Sequence, residues 1–148
     1  MVTTLDDAAR LLGPIVRRHE PIGPRTTYRV GGEAALFVLA ECQADLERVS
    51  DAALASGVEL LVLGRGSNLL VADAGFDGLC VVLGEAYAEI VVDPGSCSVR
   101  AGGAASYPVL ARQSAAAGMA GMEWAVGIPG SVGGAVVMNA GGHGSQTG

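Results

Sequence analysis

The sequence contains no lysine; all nine of its basic residues are arginine. That absence removes the lysine of a Walker-type phosphate loop and a Schiff-base lysine together. Aromatic residues are scarce, at 4%, so the core must be built from Val, Leu, Ala and Ile. No run approaches the ~18 uninterrupted apolar residues of a membrane span. The opening stretch MVTTLDDAAR lacks the basic start and apolar middle of a signal peptide. With a net charge of −6 and scattered arginines, the chain carries no electrostatic footprint for nucleic acid. These absences point to a cytoplasmic protein with neither nucleic acid nor membrane as its partner. The three cysteines, Cys42, Cys80 and Cys97, form no CxxC pair. They are expected to be small buried hydrophobes in a reducing compartment, with no metal site.

Glycine is abundant, 23 of 148 residues against an average near ~7%, and it clusters at 64–66, 102–103, 127–134 and 141–148. Clustered glycine lets a backbone reach positive φ and approach a ligand closely. Between the clusters the pattern predicts an α+β chain. Thr4 and Asp7 resemble a capping box opening a helix to Leu12. Pro14, Pro21 and Pro24 mark a loop. Strands are expected at Thr27–Val30 and Ala35–Ala40 around a Gly31-Gly32 turn. Leu46, Val49 and Ala53 share the face of a helix over Gln43–Ser56, ended by Gly57. Val58–Leu63 and Leu79–Leu83 read as buried strands, the first completing a parallel strand–helix–strand unit. Asp93-Pro94-Gly95-Ser96 predicts a hairpin. Ser106 and Pro108 open a helix that ends near Gly118. The chain then runs glycine-rich from Gly121, with one apolar insert at Ala135–Met138, and ends without a closing element, as a truncated chain would.

Two loops carry the chemistry. The first, Gly64-Arg65-Gly66-Ser67-Asn68-Leu69, follows a buried strand. Its glycines expose consecutive backbone N–H groups that can converge on a phosphate, and Ser67 and Asn68 add neutral donors. It is not a dinucleotide fingerprint, because Leu69 stands where a third glycine belongs. The second loop is Gly127-Ile128-Pro129-Gly130-Ser131-Val132-Gly133-Gly134, followed by Met138-Asn139-Ala140-Gly141-Gly142-His143-Gly144. Pro129 stiffens it. Ser131, Gly133 and Gly134 begin a short helix whose free N–H groups favour an anion.

In these loops, and in Thr26-Thr27-Tyr28-Arg29-Val30-Gly31-Gly32 and Gly121-Met122-Glu123-Trp124-Ala125-Val126, the sequence resembles the UDP-N-acetylenolpyruvoylglucosamine reductase family. The match runs from about residue 20 to the end, with Gly142 where alanine is expected. The resemblance implies a two-lobed FAD-binding domain of the vanillyl-alcohol oxidase type, truncated at its C-terminus. The lobes would be 1–83 and 84–148, with the substrate-binding domain absent. It assigns non-covalent FAD to Gly64, Arg65, Gly66, Ser67, Asn68 and Leu69 of the first loop. From the second it assigns Gly127, Ile128, Pro129, Gly130, Ser131, Gly133, Gly134, Asn139, Ala140 and Gly141. It implies NADPH as hydride donor and an enolpyruvyl UDP-sugar as substrate, reduced at the flavin N5 in peptidoglycan precursor synthesis. The family's catalytic arginine, serine and glutamate would lie beyond Gly148, so no catalytic residue is assigned here.

Arg65 is equally suited to a phosphate or to solvent. Arg29 and His143 are expected to make structural contacts, and Met122 and Trp124 to support the second loop from the core. Neither His19 nor His143 lies in the first loop, where covalent relatives carry an attaching histidine. Two other readings stay open, a different flavin oxidase of the same fold and a free-standing nucleotide-binding module. Nothing in the sequence sets an oligomeric state.

Overall fold

The computed structural model describes residues 5–148, so Thr4 and its capping box lie outside the described residues. The chain divides after Gly84 into two compact units, the second being Glu85–Gly148. Both mix helix and sheet, in keeping with the α+β expectation.

The first unit holds α1 (Leu5–Leu12), β1 (Val16–Pro21), β2 (Glu33–Ala40), α2 (Gln43–Ser56), β3 (Leu60–Val62) and β4 (Phe76–Leu83). The sheet order is β1-β2-β4-β3, with β1 antiparallel to β2 and the other pairs parallel. Helix α2 therefore carries the chain from β2 to β3, and β4 later fills the place between them. Asp45 secures the start of α2, its carboxylate accepting from the N–H groups of Glu41 (2.9 Å) and Cys42 (3.2 Å). The Glu41 bond, foremost, lowers its pKa. Gly57, at φ 68°, closes the helix by donating to the Ala53 carbonyl, as αL caps do.

Strand alternation gives the sheet two apolar faces. Leu36, Val38, Leu79 and Val81 pack with Ala8, Leu12, Val49 and Ala52 on the helical side. Phe37 and Cys80 face the other way, with Ile22, Leu63 and Val71. That second face is covered by the segments 22–32, which includes a short 3-10 turn at Gly23–Arg25, and 63–75 instead of by α-helices.

Four expectations need correction. Thr27–Val30 is not a strand, because β2 already takes its antiparallel partner from Val16–Pro21. That strand, within the expected proline loop, is arginine-rich and largely exposed, as edge strands commonly are. Strand β3 is shorter than Val58–Leu63 and not buried: Leu60 is 44% and Val62 64% exposed, since β3 is the other sheet edge. Finally, Cys42 and Cys97 are exposed, and only Cys80 is buried.

In the second unit, β5 (Ile90–Asp93) and β6 (Ser98–Ala101) form the expected hairpin. Asp93 accepts from Gly95 N–H (3.0 Å) and Ser96 Oγ (2.6 Å) across its turn. Helix α3 (Tyr107–Ala116), a tight helical turn at Glu123–Gly127, α4 (Val132–Val137) and a short hairpin of β7 (Gly141–Gly142) and β8 (Ser145–Gln146) follow. The end of the chain thus has a hairpin where no closing element was expected. Thr147 ties it in, its Oγ1 donating to the Ala140 carbonyl (2.7 Å) and meeting the Tyr107 hydroxyl at 3.1 Å. Tyr107, Leu110, Ala111, Ala125 and Ala135 form the core, with Met122 and Trp124 packed on it.

Burial pushes the Cys80 thiol up to about 11, against a smaller opposing pull from the Arg25 charge. The thiolate is the reactive form, so alkylation in native buffer at pH 8 is expected to modify Cys42 and Cys97 quickly and Cys80 only after denaturation. Mass spectrometry of a time course reads this; rapid labelling of all three would show that the loop layer over the sheet opens freely.

Candidate functional site

The first loop leaves the sheet at the C-terminal end of β3, where Leu63 N–H still donates to the Val81 carbonyl (2.8 Å). Ligands of parallel sheets gather at this end. Gly64, Arg65 and Asn68 are exposed, Ser67 and Leu69 half-buried, and Gly66 is buried. The burial of Gly66 comes from the chain itself. Its φ is 65°, and a Cβ there would lie 2.6 Å from both the Arg25 carbonyl oxygen and the Thr26 Cα. Thr27 N–H donates to the Gly66 carbonyl (3.0 Å).

The segment Arg25–Gly32 thus acts as a brace along the first loop. Further on, Gly31 has φ 110° and lies so near Val71 that a Cβ would sit 2.3 Å from its carbonyl oxygen. Gly32 N–H donates to the Ala72 carbonyl (2.9 Å). Within the brace, Arg29 sits at φ 56° and donates its backbone N–H to Thr26 Oγ1 (3.2 Å). The Arg25 guanidinium stacks 4.6 Å from the Phe37 ring centroid and pairs with Glu20 at 2.8 Å.

The assigned residues of the second loop all belong to the second unit. Ser131 is buried and caps α4, its Oγ accepting from Gly134 N–H (3.2 Å). The expectation of free donors at this helix start is overturned. Val132 N–H donates to the Ala105 carbonyl and Gly133 N–H to that of Gly103, both at 2.9 Å, and Ala135 N–H to that of Ser131. The Gly130 carbonyl accepts from Tyr107 N–H (3.0 Å), and Ser106 stands at the N-cap of α3 as expected, though without a side-chain capping bond, and also bridges Ser131 as an isolated strand pair. Ile128 is half-buried and Pro129 exposed. Trp124 supports this loop, its ring edge-on to Tyr107 at 6.2 Å and its Nε1 donating to the Gly121 carbonyl (3.0 Å).

Asn139 has φ 43° and accepts at Oδ1 from Gly148 N–H (3.0 Å). Ala140 and Gly141 lead into the terminal hairpin, whose turn holds His143 exposed at φ 53°. Gly127 stands apart. A Cβ there would meet nothing within 4 Å, and its φ is outside the left-handed region. The chain's own packing therefore does not require glycine at that position, whereas it does at Gly66.

No acidic residue lies at 64–70 or 127–148, so neither loop carries a carboxylate that would repel an anion. A family profile described as FAD binding domain matches residues 34–148. The chain belongs to this FAD-binding family. Its similarity to the reductases is also borne out. The UDP-N-acetylenolpyruvoylglucosamine reductase of Phenylobacterium zucineum is 47% identical over 131 residues, covering 88% of this chain and 43% of that protein. That of Heliobacterium modesticaldum is 42% identical over 127 residues, covering 86% and 40%. The crystal structure of the Thermus caldophilus enzyme matches with a TM-score of 0.73 at 32% identity, over 88% of this chain and 45% of that one. The chain spans less than half the length of each of these relatives. Among the described residues of this FAD binding domain, no cluster of His, Cys, Asp and Glu could hold a metal, and no helix is long and apolar enough to cross a membrane.

Two substitutions in the first loop separate backbone from charge. Gly66→Val forces a β-branched residue to positive φ, costing about 1–3 kcal/mol, and drives its side chain into the brace. Arg65→Ala removes an exposed charge, worth about 1 kcal/mol or less. Flavin titration is expected to show much the greater loss for Gly66→Val; equal losses would make Arg65 a main phosphate ligand. In the second loop, Gly127→Ala is expected to leave the melting temperature unchanged and still weaken FAD binding, and unaltered affinity would remove Gly127 from the site.

Proposed function

We propose that this chain is the FAD-holding part of an NADPH-dependent reductase that converts UDP-N-acetylglucosamine enolpyruvate to UDP-N-acetylmuramate in the cytoplasm. The observation that carries the proposal is the similarity to curated reductases at 41–47% identity over 86–97% of this chain. The internal support is a neutral, glycine-built first loop held rigid by the brace.

The residues proposed to hold FAD are Gly64–Leu69, Gly127–Gly130, Ser131, Gly133, Gly134 and Asn139–Gly141. When bound, FAD supplies hydride transfer. The chain's own contribution is positional. Gly66 and its brace fix the first loop before any ligand arrives, which lowers the ordering cost of binding. Ser131, buried, with its carbonyl accepting from Ala135 N–H and its hydroxyl from Gly134 N–H, fixes the second. Gly127, with open space at its Cα, permits close approach. No residue here is given a proton-transfer or charge-stabilising role.

Protein carrying this chain is expected to purify yellow, with acid releasing intact FAD, because no histidine stands in the first loop. Flavin that stays on the denatured polypeptide would overturn non-covalent binding. The 148 residues alone, supplied with FAD, NADPH and enolpyruvyl substrate, are expected to show no substrate-dependent loss of NADPH absorbance. Loss of general-acid catalysis by itself lowers rates by roughly 10²–10⁴-fold. Substrate-dependent oxidation would place the catalytic groups within these residues.

A further inference from the structure

A glycine-rich loop can turn either polar edge of a peptide toward a ligand. An N–H attracts a diphosphate, and a carbonyl repels it. In the first loop this choice is made at the Gly66–Ser67 peptide. The Gly66 carbonyl is taken by Thr27 N–H at 3.0 Å, and the described chain has no cis peptide bond. In a trans peptide C=O and N–H point in opposite directions. The carbonyl is therefore turned into the brace, and the Ser67 N–H is turned away from it.

What holds Thr27 in place is Thr26. It is 4% exposed, and its Oγ1 donates to the Gly23 carbonyl at 2.8 Å while accepting from Arg29 N–H at 3.2 Å. The hydroxyl thus reinforces both sides of the turn from which Thr27 N–H projects, beside the backbone bonds from Thr26 N–H to the Gly23 carbonyl (3.0 Å) and from Arg29 N–H to the Thr26 carbonyl (3.2 Å). Its neighbour in the fold is the buried Gly66, whose contact with the Thr26 Cα leaves no room for the turn to drift inward.

We propose that Thr26 is a positioning residue for the diphosphate of FAD, acting through Thr27 N–H to keep the Gly66 carbonyl off the ligand side of the loop. The proposal rests on the FAD reading of this chain. It makes the hydroxyl of residue 26, not its bulk, the feature that matters.

The test compares Thr26→Ser and Thr26→Ala, which both lose the methyl and differ only in the hydroxyl, with Thr26→Val as the near-isosteric control. Each is titrated with FAD by flavin fluorescence, melted, and examined by ³¹P NMR of the bound diphosphate. The Ser variant is expected to match the unsubstituted chain. The Ala and Val variants are expected to bind FAD roughly tenfold more weakly, the scale of one to two lost hydrogen bonds, with displaced ³¹P resonances. Equal affinity in all forms, or a Ser variant as weak as Ala, would overturn the role of the hydroxyl. Weaker binding that follows the melting temperature with unmoved ³¹P resonances would reduce Thr26 to a stability role and overturn the proposal. If the unsubstituted chain binds no FAD, the flavin reading itself fails, an outcome distinct from the other three.

Discussion

The first unit depends on one backbone constraint. Strands β3 and β4 are parallel neighbours, so the chain must travel the length of the sheet between them. Most parallel pairs make this return with a helix. Here it is made by the irregular segment 63–75, which must then cover a sheet face that carries Phe37 and Cys80. An irregular segment can do this only if its backbone groups find partners. The brace supplies them: Thr27 N–H for the Gly66 carbonyl and Gly32 N–H for the Ala72 carbonyl. Close approach of two backbones is what demands glycine at Gly31 and Gly66. The first glycine-rich loop and the cover of the core are thus one segment, so the loop cannot loosen without exposing apolar surface.

This coupling explains which parts of the fold the sequence made legible. Helix α2 and the β5–β6 hairpin follow local rules, namely a repeating apolar face, an αL glycine and an Asp-Pro-Gly-Ser turn, and both stand where those rules place them. The brace follows no local rule. Thr27–Val30 has the composition of a strand, but its Thr27 N–H goes to Gly66, some forty residues further along, and its Arg29 N–H turns back to Thr26. Strand β1 was hidden for the opposite reason: its arginines and flanking prolines read as loop, while its pairing to β2 is set by the sheet and not by its own pattern. Strand β3 shows how a solid apolar run signals a strand without telling its position, since an edge leaves Leu60 and Val62 exposed. The cysteines failed similarly, because the residue type predicts burial only on average.

The sequence marked out the two glycine-rich loops but not the hydrogen bonding of the second. The second loop suggested an open helix start, a feature that binds anions through unsatisfied N–H groups and the helix dipole together. Folding closes that option by giving Val132, Gly133, Gly134 and Ala135 partners inside the unit. The sequence offered one signal for this, the paired Gly102-Gly103. Gly103 supplies a carbonyl to Gly133 N–H and packs 3.1 Å from where a Cβ on Gly133 would stand. Those glycines serve the contact between two backbones.

Glycine density therefore overstates contact with a ligand, and the structure supplies a way to sort the excess. A glycine at positive φ, or one whose missing Cβ is replaced by the chain's own backbone, is explained by folding; Gly31 and Gly66 belong to this class. A glycine with ordinary φ and open space around its absent Cβ is not explained by folding, and Gly127 meets both conditions. The two classes act differently on binding. Substitution in the first class distorts the loop and lowers stability and affinity together. Substitution in the second leaves the unit intact and obstructs only what approaches from outside. On that argument Gly66 shapes the first loop from beneath, whereas the second loop leaves bare backbone open to approach at Gly127.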